Sequence, residues 1–166
     1  MAKADVSIVD VGGVNVTQGR NFRVEAGAVG SILAGEPVMI GGTGNNYVIP
    51  MTDATPAAGT DRMIGIAQNQ SSDTVAADGI VQVYMVHPDV TVMRAKAKVP
   101  ASIDTDAELL AILNDSKLFD LTGGVYTIDE AAVDATLNGL LIVDGDIANG
   151  TLDFILKGSA SIGGAF

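Results

Sequence analysis

The stretch that decides the fold reads Ala34-Gly35-Glu36-Pro37-Val38-Met39-Ile40-Gly41-Gly42, then Tyr47-Val48-Ile49-Pro50, then Met63-Ile64-Gly65-Ile66-Ala67. Three short runs rich in Val and Ile are bounded by Gly, Pro, Asn and Asp, the pattern of strands in a small β-domain. Between the first two runs lies Gly41-Gly42-Thr43-Gly44-Asn45-Asn46. These residues tolerate positive φ, so a tight reversal costs little there. Pro37 and Pro50 lack the N–H that an interior ladder needs, which predicts them at strand ends or edges.

Downstream, Asp78-Gly79 is a turn signal leading into Ile80-Val81-Gln82-Val83-Tyr84-Met85-Val86. That run is read as apolar on both faces, hence a central strand. Val90 to Val99 alternates, with Arg94, Lys96 and Lys98 on one face and Met93, Ala95, Ala97 and Val99 on the other. Upstream, Phe22-Arg23-Val24-Glu25 reads as a strand ended by Ala26-Gly27. Thr105 and Glu108 have capping-box spacing ahead of Leu109, Leu110, Ile112 and Leu113, which predicts one short helix near residues 105–114, stopped by Asn114-Asp115-Ser116. Four apolar residues would form its buried face. Further strands are expected at Leu118–Leu121, Val125–Ile128, Gly139–Val143 and Leu152–Leu156, with hairpins at Thr122-Gly123-Gly124 and Asp144–Gly150. Asp53–Asp61 and Ser71–Asp78 read as loops, Asp129–Thr136 as a loop or short helix, and 158–166 as a flexible tail.

The organising pattern also carries a resemblance. Ala34-Gly35-Glu36-Pro37-Val38, the polar reversal, Val48-Ile49-Pro50-Met51-Thr52-Asp53, Ile64-Gly65-Ile66-Ala67 and the Gly79-led strand are similar to the head decoration (capsid cement) proteins of tailed bacteriophages, the lambda head-decoration type. The resemblance spans roughly Val24 to Val99. It implies a β-tulip type of fold and a homotrimer that binds the major capsid protein on the outer virion surface.

Composition bounds the rest. The 166 residues suit one domain, expected over 21–157. Hydrophobic residues make up 48% but aromatic ones only 4%, with no Trp, so the core is expected to be aliphatic and Met-rich. The formal net charge of −11 repels a phosphate backbone, which argues against nucleic-acid binding and for a solvated acidic surface. Without cysteine there is no disulfide, thiolate metal site or Cys nucleophile. No stretch reaches the ~18 apolar residues of a membrane helix, and Met1-Ala2-Lys3-Ala4-Asp5 leads into no signal-peptide core, so synthesis in a bacterial cytoplasm is expected.

No catalytic constellation emerges. His87 is the one histidine, and no nucleophile motif accompanies it; a surface histidine at a strand end is the better reading. Asp144, Asp146 and Asp153 fail the calcium-loop spacing, since Ala148, Asn149 and Ile155 occupy the fifth, sixth and twelfth positions. Gly41–Asn46 is followed by no Lys-Ser or Lys-Thr and is no phosphate loop. No cofactor, metal or enzymatic activity is expected.

Two features suit contact with another protein. The basic row Arg94, Lys96, Lys98 either guards an edge strand against wrong pairing or meets an acidic partner. Residues 1–20, carrying Val6, Ile8, Val9 and Val11, read as an extended N-terminal arm that pairs as a strand with a capsid. The expected fold is therefore mainly β, a small sandwich or barrel-like domain with one short packed helix and an extended arm. The expected function is capsid decoration and stabilisation. The rival readings are another virion component, of tail or head fibre, and a small ligand- or sugar-binding β-domain using loops 53–61 and 71–78.

Overall fold

In a computed structural model the described residues are 6–10, 19–27, 30–51, 63–122, 125–132 and 139–157. They form a mainly β structure of two antiparallel sheets and one short helix. The strands are β1 (Ser7–Asp10), β2 (Arg20–Val24), β3 (Pro37–Gly41), β4 (Tyr47–Pro50), β5 (Met63–Ala67), β6 (Gly79–Met85), β7 (Val92–Lys96), β8 (Ser116–Thr122), β9 (Val125–Asp129), β10 (Leu140–Asp146) and β11 (Thr151–Leu156). Helix α1 covers Asp106–Ile112. One sheet has five strands in the order β2-β6-β5-β3-β4, and the other six in the order β1-β7-β11-β10-β8-β9.

The deciding stretch supplies β3, β4 and β5. Pro37 opens β3 and Pro50 closes the edge strand β4, where a missing N–H disrupts no interior ladder. Gly42, Gly44 and Asn45 all have positive φ at the reversal between them. The β3–β5 register skips Ile64, since Val38 faces Gly65 while Met39 faces Met63. A bulge of this kind re-aims the side chains beyond it. Met63 and Ile66 thereby join one apolar cluster while Ile64 joins another, and all five residues of β5 are buried.

The five-stranded sheet curls until its edge strands β2 and β4 approach each other. Inside the curl sit Val24, Ile32, Val38, Val48, Ile64, Ala67, Val81 and Val83. Side chains, not a ladder, hold the edges together. The Arg23 guanidinium lies 5.2 Å from the centre of the Tyr47 ring and 2.8 Å from Asp78, and the Tyr47 hydroxyl donates to Asp78 at 3.0 Å. The six-stranded sheet bends likewise. An isolated parallel bridge joins Ala97 to Ile128, and the Lys98 N–H donates to the Ile128 carbonyl at 2.8 Å. Neither sheet is a closed barrel.

Between the sheets lies the larger cluster. Met39, Met51, Met63, Ile66 and Val86 come from one side, and Met93, Phe119, Tyr126, Ile128, Leu140, Ile142, Leu152, Phe154 and Leu156 from the other. Phe119 meets Tyr126 and Phe154 edge-on, with centroids 6.0 and 5.5 Å apart. Unbranched methionines fill gaps between such rings, which suits a chain with few aromatics.

Several expectations need correction. β6 lies inside its sheet, but its burial alternates, and Ile80 is 51% exposed. Val81 and Val83 face the smaller cluster and Val86, just past the strand, the larger one, while Ile80 and Gln82 between them are exposed. α1 has the expected capping box, and Asn114 ends it at φ 65. However, Leu110 is 66% exposed; Leu109, Ile112 and Leu113 pack on the core, a narrower stripe than four residues. Residues 6–10 are not a free arm: β1 pairs antiparallel with β7. β7 consequently has β1 and β11 as neighbours and is no edge strand, so its basic residues guard no edge. Loop 53–61, the turn at 123–124, residues 133–136 and the tail 158–166 lie outside the described residues.

Gly65 tests the fold directly. A Cβ there would lie 2.0 Å from the Tyr84 carbonyl oxygen, a backbone atom of the paired strand that cannot swing aside. Gly65→Ala is expected to lower stability by about 1–3 kcal/mol through overpacking. Gly27→Ala, where a Cβ would meet nothing within 4 Å, is expected to be near neutral. Urea midpoints at constant slope measure both.

Candidate functional site

The basic row was the main candidate for partner contact, and its alternation is present: Met93, Ala95 and Ala97 are buried while Arg94 is half-buried and Lys96 and Lys98 are exposed. Its charges are differently placed from the expectation. Arg94 donates to both oxygens of Asp153, from Nε at 2.6 Å and Nη2 at 2.7 Å. The two residues face each other across the β7–β11 ladder, so the fork geometry is set by register. Asp153 is buried, and this pairing keeps its charge tolerable there.

Lys98 bridges Asp129 at 2.7 Å and Asp120 at 2.9 Å. Its backbone N–H belongs to the short bridge that bends the six-stranded sheet, and the next residue, Val99, donates its N–H to buried Glu130 at 3.1 Å. Lys98 therefore secures the seam between β7 and the β8–β9 hairpin. The hydrogen bonds to Asp129 and Asp120 raise the Lys98 ammonium above its ordinary value, and the Lys98 hydrogen bond in turn holds Asp129 below the usual carboxylate range. Two of the three candidate cations are thus engaged within the chain. Lys96, across from Thr151, has no ion pair among the described residues.

The N-terminal candidates separate similarly. Val6 is 4% exposed and belongs to the large cluster, and Ile8 packs against it. Both are consumed by the chain's own core rather than left for a partner. Val9 is 47% exposed on the outward face, and Val11 lies outside the described residues.

Loop 71–78, the described half of the rival ligand site, is filled by its own hydrogen bonds. Burial pulls the Asp73 carboxyl upward, but hydrogen bonds from the Ser71 hydroxyl and from Ser31 outweigh it and hold it low. Asp78 accepts from the Ala26 N–H, Tyr47 and Arg23, which also lower it. Thr74 caps its own turn through the N–H groups of Ala76 and Ala77. His87 is exposed just beyond β6, with its backbone N–H donated to the Thr91 hydroxyl at 3.0 Å. Asp146 accepts from Asn149 in the β10–β11 turn, which lowers it, while Asp153 is committed to Arg94. Among the described residues no group of three His, Cys, Asp or Glu is placed to hold a metal.

Sequence reading missed the carboxylate partners and Lys117. This lysine is buried on β8 with its ammonium 3.2 Å from Asp115. The signal in sequence is slight: Lys117 alternates with Phe119 on a strand, which puts a charge on a core-facing position. Comparison with known proteins adds no relative: no family model matches the chain, no curated protein matches it, and no solved structure matches it.

The seam makes a pH prediction. A carboxylate lowered on folding binds fewer protons in the native state than in the unfolded one. Its contribution is present above the unfolded value, about 3.9 for Asp, and is lost as pH falls through the folded value. Asp73, Asp78, Asp129 and Asp146 all carry this sign. Glu36, raised by burial, carries the opposite one. The urea midpoint is expected to hold steady from about pH 6 to 8 and to fall below about pH 4. Lys98→Met is expected to lower the midpoint at pH 7 and flatten the acid decline, because Asp129 then loses its depressing partner. An acid decline as steep as the parent's would remove Lys98 from the seam.

Proposed function

We propose that the chain is a structural virion protein that decorates the outer surface of a tailed-phage capsid as a homotrimer, bridging subunits of the major capsid protein. The observation that carries this reading is the pattern from Ala34 to Ala67, with the Gly79-led strand, which resembles the head decoration proteins. Those residues are β3, β4, β5 and β6, contiguous in one sheet. A trimer that touches several capsid subunits gains avidity, so each contact can be modest.

The placement of charge changes the expected docking chemistry. With Arg94 and Lys98 committed to Asp153, Asp120 and Asp129, the row offers little net positive charge. The chain carries −11 overall. Complementary long-range attraction therefore fits a basic surface on the capsid better than an acidic one. The ligand-binding alternative loses support in loop 71–78, whose described carboxylates are already hydrogen-bonded to the chain.

Capsids assembled without this protein provide the test. The purified chain is expected to saturate them and to raise their resistance to heat. Association is expected to slow with added salt, since the Debye length is about 8 Å at physiological ionic strength. Lys96→Gln is expected to change capsid affinity by less than about threefold, the scale of an exposed charge. Failure to bind such capsids at any salt concentration would reject decoration.

A further inference from the structure

A surface helix ordinarily turns polar residues to the solvent. α1 does not. Leu109, Ile112 and Leu113 pack on the large cluster. At about 3.6 residues per turn, the side opposite them carries Ala107, Leu110 and Ala111. All three are exposed, Leu110 to 66%. A leucine forms helix no better than an alanine, so the helix itself does not require Leu110. The turn before α1 continues the pattern: Val99 is 47% exposed, and Pro100 and Ala101 are exposed beside it in sequence.

This apolar surface has an acidic rim. Between Val99 and Ser116 the chain holds Asp104, Asp106, Glu108 and Asp115 and no lysine or arginine. Asp106 and Glu108 fall at the two borders of the outward face. β10 supplies two more carboxylates. A Cβ at Gly145 would lie 2.8 Å from Leu109 Cδ1, so Asp144 and Asp146, which flank Gly145, border the helix. Asp104, Asp106, Glu108, Asp144 and Asp146 join no ion pair among the described residues. Arg94, whose guanidinium feels Asp146 and Asp144, is already forked onto Asp153. Val75 is more exposed than Leu110, but Asp78 in its loop is paired with Arg23, so that tip has no comparable rim.

We propose that the outward face of α1, with residues 99–101, receives the major capsid protein through a segment that sets an apolar side chain against Leu110 and lysine or arginine side chains against the five carboxylates. An apolar centre within a polar rim is the anatomy of a protein interface. Charge complementarity selects the occupant. A second copy of this chain would bring a formal charge of −11, and Arg23, Arg94, Lys98 and Lys117 are already in ion pairs. Nucleic acid would meet carboxylates with phosphates. The inference rests on the decoration reading and adds the place and chemistry of the contact.

Capsids assembled without this protein again provide the assay. Leu110→Gln is expected to weaken binding by at least about tenfold, the scale of a central interface residue, and to leave the urea midpoint unchanged. Asp106→Asn with Asp144→Asn is expected to weaken binding at low salt and to flatten its salt dependence, because screened charges have been removed. Val75→Gln is expected to stay within about threefold of the parent. If Leu110→Gln lowers the urea midpoint, Ala111→Lys takes its place: it keeps Leu110, repels a basic segment and is expected to cost a similar factor in affinity. Four results would each overturn the surface. They are full affinity in the position-110 or position-111 variant, an equal loss in Val75→Gln, a parental salt dependence in the Asp double variant, and a Leu110→Gln chain whose sedimented mass changes while its capsid affinity does not, which marks a contact between copies. A parent chain that binds no capsid rejects decoration and this surface together, whereas a parent that binds beside unaffected variants rejects the surface alone.

Discussion

The constraint on which the structure depends is the apolar seat shared by the two sheets. A curled five-stranded sheet of short strands buries a small interior of eight residues, all of them Val, Ile or Ala. That interior alone is thin for a stable fold, because small units bury a smaller fraction of their surface. Met39, Met51, Met63 and Ile66 leave that sheet on its other side and meet Phe119, Tyr126 and Phe154. The bulge at Ile64 makes this possible, since it lets β5 serve both clusters with adjacent residues. The Tyr126 hydroxyl then donates to the Met51 carbonyl, satisfying a buried polar group at the boundary. Burial pushes that phenol above its ordinary range.

Around this seat, the polar interactions act chiefly as closures. Sheets with exposed edges invite wrong pairing, and this chain blunts three of its four edges with side chains or a single bridge rather than with full ladders. Arg23 with Tyr47 and Asp78 joins β2 to β4, while Lys98 with Asp120 and Asp129 joins the end of β7 to the β8–β9 hairpin. Exposed ion pairs contribute little each, so their value here lies in geometry: they fix where a bent sheet meets itself. This is why a chain with twice as many acids as bases still spends most of its few described cations internally.

What could be read from sequence was the local part. Turn residues and apolar runs located β4 and β5 and placed β3 within the run Ala34–Gly42, and the capping box located α1, because both signals operate over a few adjacent positions. Partner choice operates over distance and left no comparable trace. Arg94 and Asp153 are 59 residues apart, and Lys98 and Asp129 are 31 apart, so neither carboxylate stood out beside its cation. A basic row legible by period was therefore read as unspent charge. The same limit applies to Leu110, since a two-turn helix shows four apolar residues whether its buried stripe is narrow or wide. β1 is the largest case: four residues with a β pattern say that a strand forms, and nothing in them names β7 as the receiver.

That ambiguity has a physical consequence. A strand whose address is set by a remote edge and a hydrophobic seat, rather than by a tight turn, is specified by its receptor and not by its own connection. Hairpins such as β8–β9 and β10–β11 have their register imposed by short loops. β1 has no hairpin turn to either of the strands near it in sequence or space. Its energy depends on occupying an edge of β7 and placing Val6 in the large cluster.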